Sequence, residues 1–156
     1  MKLKALSAFA AIALLAACES TPDSSGANTG AGAGAGPRPG SQEDLVASAG
    51  DRVFFDFDSS VLRVDARSTL DRQGQWMATN GAVRVTIEGH TDERGTREYN
   101  LALGQRRANA TRDYLQARGV AGARMSTISY GKDRPAAVGS NEQAWAQNRR
   151  AVTVVQ

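Results

Sequence analysis

Past residue 50 the chain alternates between two kinds of hydrophobic spacing. Val53, Phe55 and Phe57 alternate with Phe54, Asp56 and Asp58. That period of two predicts a strand over Val53–Asp58 with Val53, Phe55 and Phe57 on one side and Asp58-Ser59-Ser60 as its exit. From Val64 to Thr79 the period lengthens: Ala66, Leu70, Gln73 and Met77 recur at helical spacing, Asp65 sits in the first turn where the helix dipole favours it, and Asn80-Gly81 closes the run. Val83, Val85 and Ile87 then alternate with Arg84, Thr86 and Glu88, which predicts a second strand with one polar face.

A second helix is predicted from Arg97 to Arg118, with Leu101, Ala108, Thr111 and Leu115 as its seam and Gly119 as its stop. Met125–Tyr130 reads as a third strand, with Thr127 and Ser129 opposite Ile128, and Ala151–Val155 as the last. The segment between Gly131 and Asn148, with Pro135 and Trp145, reads as surface structure holding a short helix. Strands with one polar face need helices on the other face only. The order β-α-β-α-β-β therefore predicts an α/β two-layer sandwich.

The first fifty residues have a different character. Lys2 and Lys4 precede an apolar run, Ala5 to Ala17. It is too short to span ~30 Å of hydrocarbon, which takes ~20 residues, and it reads as a signal peptide over 1–17. Leu15-Ala16-Ala17 leads into Cys18, the single cysteine, so no intramolecular disulfide framework is available. The run is similar to a bacterial lipobox, whose cysteine carries the acyl chains; the alternative is a buried or free thiol. Ser20 to about Gly50 is rich in Ser, Thr, Gly, Ala and Pro and carries no aromatic residue. It reads as part of a lipidated N-terminus and flexible linker over 18–50, of ~30 Å root-mean-square span and ~100 Å taut length.

The 156 residues leave room for one folded unit, 51–156, beyond these appendages. A formal charge of +3 raises a nucleic-acid reading, but acidic and basic residues interleave and no basic run exceeds two. No nucleic-acid partner is expected.

Chemistry concentrates between Gly89 and Leu115, where a polar turn joins the second strand to the second helix. Asn100, Leu103 and Arg107 lie three and four residues apart and share a helix face. Asp92 precedes them in the turn. Together Asp92 and Arg107 form a split site for a zwitterion, the carboxylate taking an ammonium and the guanidinium a carboxylate. The alternative is a pair of ordinary solvated or mutually paired charges. His90 is the sole histidine; one His and one lipidated Cys are too few ligands for zinc. It is read as structural, with Tyr99 and Tyr114 as core or pocket wall. No catalytic residue, metal or cofactor is expected.

The run Asn100, Leu103, Gly104, Arg107-Ala108 and Leu115 resembles the helix motif of the OmpA-like family of peptidoglycan-binding domains, in its lipoprotein branch. Thr111 stands where that motif usually has an aliphatic residue, and Gly104 fits the lipoprotein branch. Phe55-Asp56-Phe57-Asp58-Ser59, Tyr130-Gly131 and Asn148-Arg149-Arg150-Ala151-Val152 extend the resemblance over nearly all of the chain after about residue 50. It implies a mixed sheet of about four strands backed by two main helices. It also implies that the residues matching Asp92 and Arg107 hold the free amino-acid end of meso-diaminopimelate in the peptidoglycan stem. The expected peptidoglycan-binding set is Asp92, Arg107, Asn100, Leu103, Thr91, Phe57 and Asp58. Phe57 and Asp58 have an equally good reading as strand exit and helix-entry cap.

The resemblance further implies a periplasmic domain held at the outer membrane by acylated Cys18, a place in the Tol-Pal system of envelope integrity and cell division, and TolB and other Tol proteins as partners. The alternatives are a wall-binding lipoprotein outside that system and a lipid-anchored peptidoglycan hydrolase.

Overall fold

Apolar residues at alternate positions of β2 (Val85–His90) bury Val85 and Ile87 and leave Thr86 and Glu88 half-exposed, so this strand needs cover on one face. Cover for β2 comes from α3 (Arg97–Ala117), and α2 (Val64–Thr79) packs beside α3 and against the strand Arg52–Phe54. The computed structural model describes residues 36–156; the expected signal peptide, Cys18 and the first part of the expected linker lie outside them.

The other elements are α1 (Gln42–Ser48), β1 (Arg52–Phe54), β3 (Met125–Gly131), α4 (Glu142–Asn148) and β4 (Arg150–Val155), with a 3-10 turn at Gly122–Arg124. The sheet order is β1-β4-β2-β3. β4 pairs antiparallel with both neighbours, Val53 opposite Ala151 and Ile87 opposite Thr153, while β2 and β3 run parallel. The parallel pair follows from α3, which crosses from the end of one strand to the start of the other. The expected two-layer α/β sandwich with a mixed four-strand sheet is the fold observed. Its core gathers Val53, Phe55, Leu70, Met77, Ile87, Ala108 and Leu115.

Five expectations are corrected. First, the linker does not run to Gly50. Ser41 caps α1 by accepting from the Asp44 amide at 3.2 Å, and Leu45 and Ala49 are buried. Asp44 accepts from Trp76 Nε1 at 2.9 Å, and Gln42 bonds Thr153 O and the Val155 amide at the far end of β4. Buried Leu45 and Ala49 and these long-range hydrogen bonds tie down a stretch whose composition reads as linker.

Second, β1 ends at Phe54, and the chain turns through Asp58, whose φ is +53°. Phe57 therefore does not share the core side with Val53 and Phe55; it is 59% exposed.

Third, the buried face of α3 is Asn100, Leu103, Gly104, Arg107, Ala108, Thr111 and Leu115, and Leu101 lies half-buried at its flank. Fourth, in edge strand β3 the polar side chains turn towards the helix. Thr127 bonds Gln105 and Asn109, Ser129 donates to Leu101 O at 2.7 Å, and Ile128 is left 38% exposed. Satisfied hydroxyls are tolerated at such an interface, where period-two patterning alone points the apolar residue inward. β2 also begins later than expected, leaving Val83 and Arg84 outside it.

The closest helix–sheet approach places the site. A Cβ on Gly89 would fall 1.8 Å from Gly104 O, and one on Gly104 would fall 2.3 Å from Ser129 Oγ. Only glycine at both positions lets α3 lie on the backbone of β2. One turn further along α3, Arg107 comes under the carbonyl of His90.

Candidate functional site

At the C-terminal end of β2 the chain leaves the sheet through Thr91–Gly95 and enters α3 at Thr96, whose hydroxyl accepts from the Tyr99 amide. Gly95 makes the last corner at φ +94°, a backbone conformation that favours glycine. Asn100 holds this loop down: its Nδ2 donates to Arg94 O at 2.9 Å and Thr96 O at 3.0 Å. Under the loop lies a cavity of about 180 Å³. All seven residues of the expected binding set line it, together with Arg94, Gly95 and Tyr99.

Arg107 has no exposed surface. Its Nε donates to Ser59 O at 2.8 Å, Nη1 to His90 O at 2.8 Å and Nη2 to Asp56 O at 3.0 Å. Three carbonyls thus orient the guanidinium, but among the described residues no carboxylate oxygen lies within 4.0 Å of it. Burial drives its pKa down to about 10, with Arg149 adding to the fall and Asp92 and Asp58 opposing it. It stays a cation at neutral pH, with spare N–H donors and no directly paired carboxylate among the described residues.

Asp92 is 4% exposed and is paired, though not with Arg107. Its Oδ1 accepts from the Arg94 amide at 3.2 Å, and its Oδ2 from Arg94 Nη2 at 2.5 Å and Arg149 Nη1 at 3.5 Å. Burial alone would raise its pKa, but the hydrogen bonds and charge of Arg94, helped by Arg149, leave it below the usual carboxylate value. The Arg94 guanidinium carbon lies 3.9 Å from the Phe57 ring centre and 4.0 Å from that of Trp145. Trp145 is fixed in turn by Nε1 donating to Glu93 Oε1 at 3.0 Å. This explains why Phe57 turns outward: its ring is half of a cation–π sandwich.

Around the rim, Tyr99 Oη donates to Asp58 Oδ1, and Thr91 Oγ1 to Asp92 O. Tyr99 is pocket wall; Tyr114 lies elsewhere, bonded to Asp71. His90 is 1% exposed and stacks near Tyr130. Burial, reinforced by Arg150 and Arg134, pushes its pKa down to about 4, so the ring is neutral at physiological pH. Its side chain is structural, while its carbonyl serves Arg107. Among the described residues no group of three or more His, Cys, Asp or Glu side chains gathers as a metal site would need, and no helix is long and apolar enough to cross a membrane.

Sequence reasoning missed Arg94, Arg149 and Trp145. Arg94, two residues after Asp92 in an Asp-led turn, carried a local signal; Arg149 and Trp145 are 57 and 53 residues from Asp92, and although Arg149 stands in the run Asn148-Arg149-Arg150 that carries the resemblance, nothing local tied either to Asp92.

Known proteins are similar to this chain over the same stretch. The model of the OmpA family matches residues 54–149. A peptidoglycan-associated lipoprotein of Rhizobium meliloti is 64% identical over 117 residues, covering 75% of this chain and 66% of that protein. One of Agrobacterium fabrum is 53% identical over 144 residues, covering 90% and 81% respectively. The crystal structure of the peptidoglycan-associated lipoprotein from Burkholderia pseudomallei superimposes with a TM-score of 0.68 at 45% identity, over 72% of this chain and 93% of that one. The chain thus belongs to the OmpA family, among its peptidoglycan-associated lipoproteins.

Proposed function

We propose that the domain binds peptidoglycan noncovalently by taking the free amino-acid end of meso-diaminopimelate, in the stem peptide, into this cavity. The observation that carries the reading is Arg107, a fully buried cation in the cavity wall with three carbonyls around it and no carboxylate within 4.0 Å among the described residues. A ligand carboxylate would supply the missing counter-charge. An ammonium on the same carbon would face Asp92, which lines the same cavity. The function is recognition, with no reaction to catalyse, and the names of the relatives describe proteins associated with peptidoglycan.

The wider role is a tether between outer membrane and wall. Cys18, acylated after removal of 1–17, holds the chain at the outer membrane, and the domain works in the periplasm as part of the Tol-Pal system with TolB as partner. The point where the chain enters the fold supports this arrangement. Gly40 lies beside Asn80 and Val83, just before β2, and Gln42 bonds the end of β4. The cavity lies at the other end of β2, ~17 Å away at ~3.3 Å per residue. A chain entering at one pole leaves the opposite pole free to meet the wall.

The test is a pull-down of purified protein with sacculi of two kinds. Walls with diaminopimelate at the third stem position should retain the protein; walls with lysine there, which offer an ammonium without the adjacent carboxylate, should retain it at least about tenfold less. Equal retention by both walls would defeat the assignment.

A further inference from the structure

One donor in the cavity wall is left unused by the zwitterion. Arg94 is held on three sides, by Phe57 at 3.9 Å, by Trp145 at 4.0 Å and by Asp92 through Nη2, yet its Nε is buried and has no hydrogen-bond partner among the described residues. A buried N–H without an acceptor is unfavourable, and the two rings keep the guanidinium from turning to find one. Arg94 and Arg107 line the same cavity, so two oriented guanidinium groups serve one ligand volume. Asp92, by contrast, already meets two arginines. The charges lining the cavity balance, Asp58 and Asp92 against Arg94 and Arg107, but the unpartnered Nε–H of Arg94 favours a ligand that brings an acceptor oxygen beyond the single carboxylate assigned to Arg107.

We infer that Arg94 is a specificity-determining residue which takes a second ligand oxygen, a carboxylate or a peptide carbonyl flanking the zwitterionic end. This rests on the reading that the cavity holds a diaminopimelate end. It extends that reading by giving part of the recognition to the flanking stem.

Arg94→Lys tests the inference. Lysine keeps the charge beside Asp92 and removes the Nε–H and the planar group between the rings. Three soluble probes are titrated, with binding followed by chemical-shift changes and the fold checked by melting temperature. D-Norleucine offers a zwitterion alone. Free meso-diaminopimelate adds a second carboxylate but no peptide carbonyl. The tripeptide L-Ala-γ-D-Glu-meso-diaminopimelate adds the peptide carbonyl.

The substitution should weaken the tripeptide about tenfold more than D-norleucine, because only a ligand that uses the donor suffers from its loss. If meso-diaminopimelate loses as much as the tripeptide, the oxygen is a carboxylate; if it behaves like D-norleucine, the oxygen is the peptide carbonyl. Trp145→Leu, which removes one ring and the indole N–H bonded to Glu93 but no donor of Arg94, should move in the same direction. Equal weakening of all three probes would mean that Arg94 merely props Asp92, and no weakening would mean that it contributes nothing. Either result overturns the inference and leaves the pocket reading standing. Failure of the unsubstituted protein to bind any of the three would sink both.

Discussion

Replacing Arg107 affects fold and binding together, and the structure allows the two to be separated. Its guanidinium bonds the carbonyls of Asp56, Ser59 and His90, and so ties the turn after β1 to the end of β2 across the helix face. Arg107→Ala strands these three carbonyls and opens a void where a fully buried side chain stood. Hydrogen bonds to a charged group contribute ~1.5–3 kcal/mol each, but the lowered pKa shows that burying the cation costs part of that gain. A net loss of about 2–4 kcal/mol is expected, within the ~5–15 kcal/mol of an ordinary domain, so the variant should still fold in the cold. Sacculus binding should fall further, by about 2–5 kcal/mol, or roughly thirtyfold to several thousandfold, because the counter-charge of the ligand is lost.

Arg107→Lys separates the effects: it keeps one charge and one or two of the carbonyl contacts and loses the fork. It should be destabilised by less than half as much as Arg107→Ala, yet bind at least about tenfold more weakly than the parent. Urea unfolding gives the stabilities; sacculus pull-downs well below each melting temperature give the binding. If the loss of binding equals the unfolded fraction in both variants, Arg107 is a structural brace and the pocket argument fails.

Two further outcomes follow from buried groups. Leu45 has no exposed surface, so Leu45→Ala should cost about 2–4 kcal/mol, and a chain begun at Gly50 should melt well below one begun at Gly36; equal melting temperatures would show that α1 adds nothing. Burial holds the folded pKa of His90 at about 4, below the ordinary histidine value of 6.5, so the unfolded chain binds the extra proton between those values. The stability from keeping this ring neutral is fully present above about pH 6.5 and declines as pH falls to about 4, by up to ~3 kcal/mol. Glu88, 3.3 Å from Nε2, opposes the effect without reversing it. His90→Gln should flatten the fall of melting temperature across that window, and an unchanged slope would refute the assignment.

Much of this protein was legible in the sequence because the determining signals were local. Val85 and Ile87 alternate with polar residues whatever they pair with, and Gly119 ends a helix by its own backbone freedom. The Asp92–Arg107 stretch is contiguous, so its strand, turn and helix could be laid out before any tertiary contact was known. The linker composition misled for the opposite reason: α1 is held by Trp76, Thr153 and Val155, which its own residues do not reveal. Phe57 read as sharing a side with Val53 and Phe55 because alternation counts faces and says nothing of where a strand stops.

Tertiary structure alone decided what the charges do. The carbonyls of Asp56 and Ser59 reach Arg107 across about fifty residues of chain, and Trp145 closes on Arg94 from a helix after the third strand. Patterning places a side chain on a face, whereas charge pairing depends on distance and local dielectric, and both are set only when separate elements pack. Hence Asp92 and Arg107, which read as a potential pair, line one cavity without touching: Arg94 and Arg149 take the carboxylate, and the buried guanidinium of Arg107 is left without a carboxylate within 4.0 Å among the described residues.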